Sequence, residues 1–262
     1  MKRLITIFCL LFPLLAGAQG YVTVRDIPYS SADAYAIERC KLDVCYPEGA
    51  DAAPVVVWFH GGGLTGGDKF VPEELKSDGI IVVAVNYRLL PRASIDDCID
   101  DAAAAVAWTF RNISRFGGST ERIWVAGHSA GGYLTDMIGL DKSWLAKYGI
   151  DADSIAGLAP YSGQVITHFA IRESMGMSPL QPLVDRYAPL YHVRGDAPRI
   201  IIISGDRERE LYGRYEETAY FRRMLLLSGH PEVYMYELDG YDHVSMAAPA
   251  HHILKEHIRN SR

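Results

Sequence analysis

Gly127-His128-Ser129-Ala130-Gly131 sets a serine at the centre of a G-x-S-x-G pentapeptide, between an apolar β-rich run and a segment of helical period. In that context the serine stands on a sharp strand-to-helix turn that thrusts its hydroxyl outward, so the chemistry on offer is nucleophilic attack by Ser129. Small residues suit the place because the backbone is strained and neighbouring chain passes close, and Gly132 adds room. Upstream, His60-Gly61-Gly62-Gly63 follows another β-rich run, with Gly66-Gly67 soon after. Glycines there let backbone N–H groups turn toward one point and stabilise the oxyanion of a tetrahedral intermediate. A phosphate cradle is the competing reading of such a loop. No Lys-Ser/Thr pair completes a P-loop, however. Together and in this order, the two motifs point to ester cleavage.

A serine hydroxyl needs a base within hydrogen-bond reach, and the base needs a carboxylate to orient it. In this architecture the expected chain order is serine, acid, histidine. Of nine histidines, His60 and His128 belong to the motifs, and His168 and His192 come too early. His230 precedes Pro231 and reads as turn punctuation, while His251, His252 and His257 fall in the last helix. His243 remains, in a loop after the last β-rich run, and is the expected base. For the acid, Gly205-Asp206-Arg207-Glu208-Arg209-Glu210 offers several carboxylates just past a strand. Spacing from the strand-end glycine favours Glu208; Asp206, at the strand terminus itself, is the alternative, with Asp242 a distant third.

The elements that must position these residues alternate along the chain. Strands are predicted at Val55 to His60, Ile80 to Asn86, Ile123 to Gly127, Ile155 to Pro160, Ile200 to Gly205 and Val233 to Leu238, with Arg39 to Tyr46 antiparallel at the edge. Helices are predicted near Pro72 to Ser77, Ser94 to Arg115, Ala130 to Leu140, Arg214 to Ser228 and Ala247 to Asn260. The alternation predicts an α/β fold, a mostly parallel sheet with helices on both faces. One domain accounts for residues 19–262, with an irregular excursion from Tyr161 to Arg199 over the C-terminal edge of the sheet.

Of the 262 residues, 49% are hydrophobic and 22% charged, which excludes disorder and fibrous structure. The net charge of −6 argues against a nucleic-acid partner, and the absence of a helix-length apolar run argues against stable membrane insertion. Lys2 and Arg3, an apolar run from Leu4 to Leu15, and Ala16-Gly17-Ala18 read as a secretory signal peptide over residues 1–18. Export to the periplasm or outside the cell follows. Removing that segment takes away two positive charges and no acids, moving the charge from −6 to −8. Cys9 leaves with it; Cys40 and Cys45 lie an odd number apart in an extended stretch and are expected not to bond, and Cys98 reads as a buried apolar residue.

From about residue 36 to 258 the chain resembles the α/β-hydrolase superfamily, specifically the H-G-G-G esterases akin to hormone-sensitive lipase and bacterial acetyl xylan and feruloyl esterase-like proteins. Besides the motifs above, the resemblance rests on Asn86-Tyr87-Arg88-Leu89, the Asp97 to Trp108 helix and Gly205-Asp206-Arg207-Glu208. It implies Ser129 as nucleophile, His243 as base, the N–H groups of Gly62, Gly63 and Ala130 as oxyanion hole, and no cofactor or metal. The long N-terminal cap of the hormone-sensitive-lipase branch is missing. The acyl and alcohol sites then fall to Tyr161 to Arg199 and the loops around Leu64 and Tyr241, with His60, Leu64, Tyr161 and Tyr241 as candidate substrate-binding residues. Phe169, Met175, Met177 and Leu180 are candidates for a modest acyl pocket. The implied substrates are short acyl esters of small molecules or oligosaccharides, acetyl or feruloyl. Two rivals share the scaffold, an arylformamidase-type amidase and a non-catalytic binding protein; a metal-dependent esterase lacks a usual zinc spacing among His251, His252 and His257.

Overall fold

The computed structural model describes residues 20–211 and 213–261. The expected signal peptide lies outside them. In chain order the described residues form β1 (Tyr21–Pro28), α1 (Ala34–Arg39), β2 (Lys41–Pro47), β3 (Ala53–Phe59), β4 (Ile81–Val85), α2 (Ile95–Asn112), β5 (Gly118–His128) and α3 (Ala130–Leu140). There follow α4 (Lys142–Ala146), β6 (Gly157–Tyr161), α5 (Phe169–Ser174), β7 (Ile200–Gly205), α6 (Arg214–Leu227), β8 (Val233–Leu238) and α7 (Ala247–Asn260). The eight strands make one sheet in the order β1-β2-β4-β3-β5-β6-β7-β8. From β4 through β8 all pairings are parallel; β2 is antiparallel to both of its neighbours.

The central strands are buried along their whole length, as expected where helices cover both faces. Val55, Val57 and Phe59 alternate onto one face, where α2, α3 and α6 bury Ile99, Val106, Leu134, Met137, Phe221 and Leu225. Val56 and Trp58 point the other way, against Leu254 and Ile258 of α7. Ser94 starts α2 with a reciprocal capping box to Asp97, satisfying orphan donors of the first turn. Arg88, just past β4, is buried against α2: its guanidinium donates to both carboxylate oxygens of Asp101 at 2.8 Å, and its backbone N–H donates to the same carboxylate. A further contact to Asp33, at 2.7 Å, ties in the cap of α1.

Three expectations are corrected. The stretch Arg39 to Tyr46 is β2 and antiparallel, but β1 pairs outside it and takes the edge. Pro72 to Ser77 holds a single 3-10 turn, Glu73–Leu75, too short for a helix because Pro72 precedes it and Gly79 soon follows. The excursion between β6 and β7 is not wholly irregular, since it carries α5 and a 3-10 turn at Pro189–His192. Cys40, Cys45 and Cys98 are buried free thiols, and burial pushes Cys40 and Cys98 up to about 12. No helix among the described residues is long and apolar enough to cross a membrane.

Candidate active site

β5 delivers Ser129 and α3 begins at the next residue, so the serine occupies the turn between them. Its backbone has φ +56° and ψ −114°, a costly conformation for a residue with a Cβ. The turn is held by the Ser129 N–H donating to the Tyr161 carbonyl of β6 at 2.8 Å and by the Tyr133 N–H donating to the Ser129 carbonyl at 3.0 Å. A Cβ on Gly131 would stand 2.1 Å from the Phe59 carbonyl oxygen, so only glycine lets α3 pack this close to the end of β3.

The Ser129 hydroxyl lies 3.0 Å from His243 Nε2. On the other side of the ring, His243 Nδ1 lies 2.9 Å from Glu210 Oε2 and also 2.9 Å from Ser162 Oγ. Glu210 is the carboxylate that meets the histidine, and the expectation of Glu208 or Asp206 is corrected. The Asp206 carboxylate instead accepts from the backbone N–H groups of Gly240 and Glu208, while Asp242 accepts from Val244 and Ser245. The physical reason is a turn after β7: the N–H groups of Arg209 and Glu210 both donate to the Asp206 carbonyl, at 2.8 and 2.9 Å. That curl carries the Glu210 side chain back, where it accepts from the Gly205 N–H at 3.1 Å. The side chain is 1% exposed. Burial by itself would raise its pKa, but the hydrogen bond and charge of His243, with hydrogen bonds from Ser162 and the Leu211 N–H, outweigh it and hold the carboxyl down at about 2.

Two residues beside the pair escaped the sequence reasoning. Ser162, the residue after β6, is fully buried with its hydroxyl between His243 and Glu210. His128, read only as part of the pentapeptide, donates from Nε2 to the His243 carbonyl at 2.6 Å and packs its ring 4.8 Å from the His243 ring. Burial and the neighbouring His243 press His128 down to about 4, which keeps it a neutral donor. Nothing in residue spacing announces these contacts; they arise because β5, β6 and the loop after β8 end side by side.

The glycine loop closes on the serine. Gly62 has φ +110°, and a Cβ there would meet the Gly66 carbonyl oxygen at 2.2 Å. Its carbonyl accepts from the N–H groups of Thr65 and Gly66. Among the described residues the N–H groups of Gly62, Gly63 and Ala130 donate to nothing, which leaves all three free for a ligand oxygen.

The substrate-contact expectations are corrected in three places. His60 is buried, stacked 4.5 Å from the Tyr87 ring and bonded through Nδ1 to the Gly61 carbonyl; burial holds it at about 4. Leu64 is fully buried in the core, and its carbonyl takes the Leu90 N–H. Tyr161 is fully buried with its hydroxyl toward His251 Nδ1 at 3.3 Å, and serves the site through its backbone. Tyr241 is exposed, and its carbonyl accepts from the Asp206 N–H, pinning the acid loop to the histidine loop.

Two cavities lie near the pair. One of about 690 Å³ includes Phe169, Leu180 and Leu211 among its walls. The Phe169 ring carbon Cζ stands only 3.0 Å from where a Cβ on Gly63 would lie. Met175, expected beside them, is exposed instead. The other cavity, of about 450 Å³, is bounded by Gly61, His128, Phe70 and Val244.

The BD-FAE family model matches residues 42–156. The probable isoprenylcysteine alpha-carbonyl methylesterase of Oryza sativa subsp. japonica is 27% identical over 236 residues, covering 79% of this chain and 55% of that protein. The probable carboxylic ester hydrolase LipM of Mycobacterium tuberculosis is 27% identical over 226 residues, covering 76% of this chain and 52% of that one. The chain thus spans about half the length of these two curated relatives. Among solved structures, a butyrate-bound esterase from Thermogutta terrifontis aligns with a TM-score of 0.71 at 19% identity, covering 90% of this chain and 93% of that one. A truncated carbohydrate esterase from gut microbiota aligns with a TM-score of 0.75 at 14% identity, covering 93% and 97%. At such identities the likeness is one of fold. Fold, family model and relatives point the same way: the fold is that of the α/β-hydrolases, and the chain is similar to ester hydrolases.

Proposed function

We propose that this chain is an exported serine carboxylesterase that prefers short acyl groups such as acetyl and acts on acylated carbohydrate, with feruloyl esters as the bulkier alternative. The observation that carries the reading is the unbroken line of contacts from Ser129 Oγ to His243 Nε2 at 3.0 Å and from His243 Nδ1 to Glu210 Oε2 at 2.9 Å. In this reading His243 takes the Ser129 proton as Oγ attacks the ester carbonyl carbon. The carbonyl oxygen becomes an oxyanion held by the free N–H groups of Gly62, Gly63 and Ala130. As the intermediate collapses, the C–O bond to the alcohol breaks and the imidazolium returns the proton to the leaving oxygen. Water, deprotonated by His243, then attacks the acyl-serine; the bond from the acyl carbon to Ser129 Oγ breaks, the imidazolium returns its proton to Oγ, and the acid leaves. Glu210, ionised well below neutral pH, stabilises the transient imidazolium and keeps Nδ1 as the donor.

The short-acyl preference is supported by the Phe169 ring, which crowds the space beside Gly63. The carbohydrate substrate is supported by the family resemblance and by the fold shared with the gut-microbiota carbohydrate esterase. Export is supported by the N-terminal charge and apolar pattern. The test is initial rates on p-nitrophenyl acetate, butyrate and octanoate with wild type and Ser129→Ala, followed by acetate and ferulate release from xylan. Rates should fall with acyl length and drop ~10⁴-fold or more in the variant. Equal activity in the two proteins would overturn Ser129 as nucleophile, and inactivity of both on every ester would overturn the esterase.

A further inference from the structure

The cavity of about 690 Å³ holds two arginines that the reaction above does not use. Arg172, on α5, is 2% exposed, and Arg214, the first residue of α6, is 3% exposed. Each gives one Nη1–H to a backbone carbonyl, Arg172 to that of Gln181 and Arg214 to that of Ser162. Among the described residues, the Nε–H of each is buried without an acceptor. Neither forms an ion pair among the described residues. Buried charge is costly unless paired, and burial accordingly presses both guanidinium groups below the usual arginine range.

Glu217 is the acid whose charge acts most strongly on both. Its carboxylate, however, is already engaged by Gln164 Nε2 and the Val165 N–H, and burial pushes it above the usual carboxylate range. Glu210 also acts on Arg214, but its carboxylate is engaged by His243 and by the Gly205 and Leu211 N–H groups, so neither acid is paired with a guanidinium. Glu173 and Glu216 stand at the exposed rim, where water and salt screen them. Two of the cavity's walls neighbour the reaction centre. Phe169 abuts Gly63 of the glycine loop, and Leu211 directly follows Glu210 and donates its N–H to Oε2 at 3.0 Å.

We propose that this cavity is a carboxylate subsite, in which Arg172 and Arg214 hold an anionic group carried by the ester substrate. The inference rests on the esterase reading and names its substrate class. A carboxylate supplies the planar pair of acceptors that a guanidinium edge matches. The charge enters on the acyl side, as a half-ester of a dicarboxylic acid, or on the alcohol side, as an acylated uronic acid.

The experiment measures kcat/KM for two pairs in wild type and Arg172→Gln. The acyl pair is mono-p-nitrophenyl succinate against p-nitrophenyl butyrate, and the alcohol pair is O-acetyl galacturonic acid against O-acetyl galactose. The inference expects the charged member of one pair to be favoured about tenfold or more in wild type, and that ratio to fall about tenfold or more in Arg172→Gln. Arg172→Lys, which keeps charge without the planar fork, should recover part of the ratio and serves if the glutamine variant does not fold. Wild-type ratios near or below unity in both pairs overturn the subsite and leave ester hydrolysis standing. If no ester is cleaved, the esterase reading fails, and calorimetric titration of wild type with succinate and galacturonate decides the subsite. Binding weakened about tenfold or more in Arg172→Gln supports it, and no binding overturns it.

Discussion

Glu210 reaches His243 through a turn that residue counting does not foresee. The count from Gly205 favours Glu208, yet the Glu208 N–H is itself an internal donor to Asp206, and the chain has curled past it before the acid faces inward. Replacing Glu210 by Gln keeps its size but removes the charge that stabilises an imidazolium. It should lower kcat on p-nitrophenyl acetate by about 10²-fold to 10⁴-fold. Glu208→Gln, at a side chain outside the contact, should stay within about twofold. The same assay run on both variants separates the two acids. Ser129 and His243 were legible because a motif and a chain order fix them; the acid was not, because three carboxylates in one loop differ only in how the backbone bends.

Among the elements, several have the bounds the sequence predicts, while α2 ends three residues short of expectation. The helix Ala130–Leu140 and the strands Ile200–Gly205 and Val233–Leu238 coincide with expectation. The missed elements are β1 and the short helices α1, α4 and α5, the last two of five and six residues. β1 is an edge strand with no fully buried residue, so its alternation is weak, and α1 has six residues, too few for a helical period to show. α3 also carries a local conflict that sequence pattern does not display. Asp136 is fully buried there, neither carboxyl oxygen has a hydrogen-bond partner among the described residues, and burial pushes its pKa well above the ordinary 3.8. The folded chain therefore retains a proton that the unfolded chain releases above about pH 3.8. Stability on this account falls as pH rises from there, at most about 1.4 kcal/mol per pH unit, until the folded pKa is passed. Asp136→Asn removes the titration, so urea unfolding at pH 5 and pH 8 should show the variant gaining on wild type as pH rises. A constant difference between the two proteins would refute this.

At the scale of the whole molecule, the sheet, the N-terminal hairpin region and the first long helix meet at Arg88. Its contacts to Asp101, Asp97 and Asp33 draw β4, α2 and the cap of α1 to one point. The Asn86-Tyr87-Arg88-Leu89 segment that helped the resemblance is thus a junction of the scaffold, while Tyr87 also donates to the His60 carbonyl and steadies the glycine loop. Arg88→Met would strand the Asp101 carboxylate, 1% exposed, without its cation. A loss of about 3–5 kcal/mol is expected in equilibrium urea unfolding. The layered architecture was readable from alternation alone, whereas this junction was not, because the residues that meet there are far apart along the chain.

The three buried thiols bear on how such a molecule is made. Cys40, Cys45 and Cys98 lie in α1's end, β2 and α2, and none is bonded to another. No covalent cross-link has to be laid down among the described residues, so their assembly asks for neither an oxidant nor an isomerase. The native state over this region is reached by sequestering side chains from water, the three thiols among them.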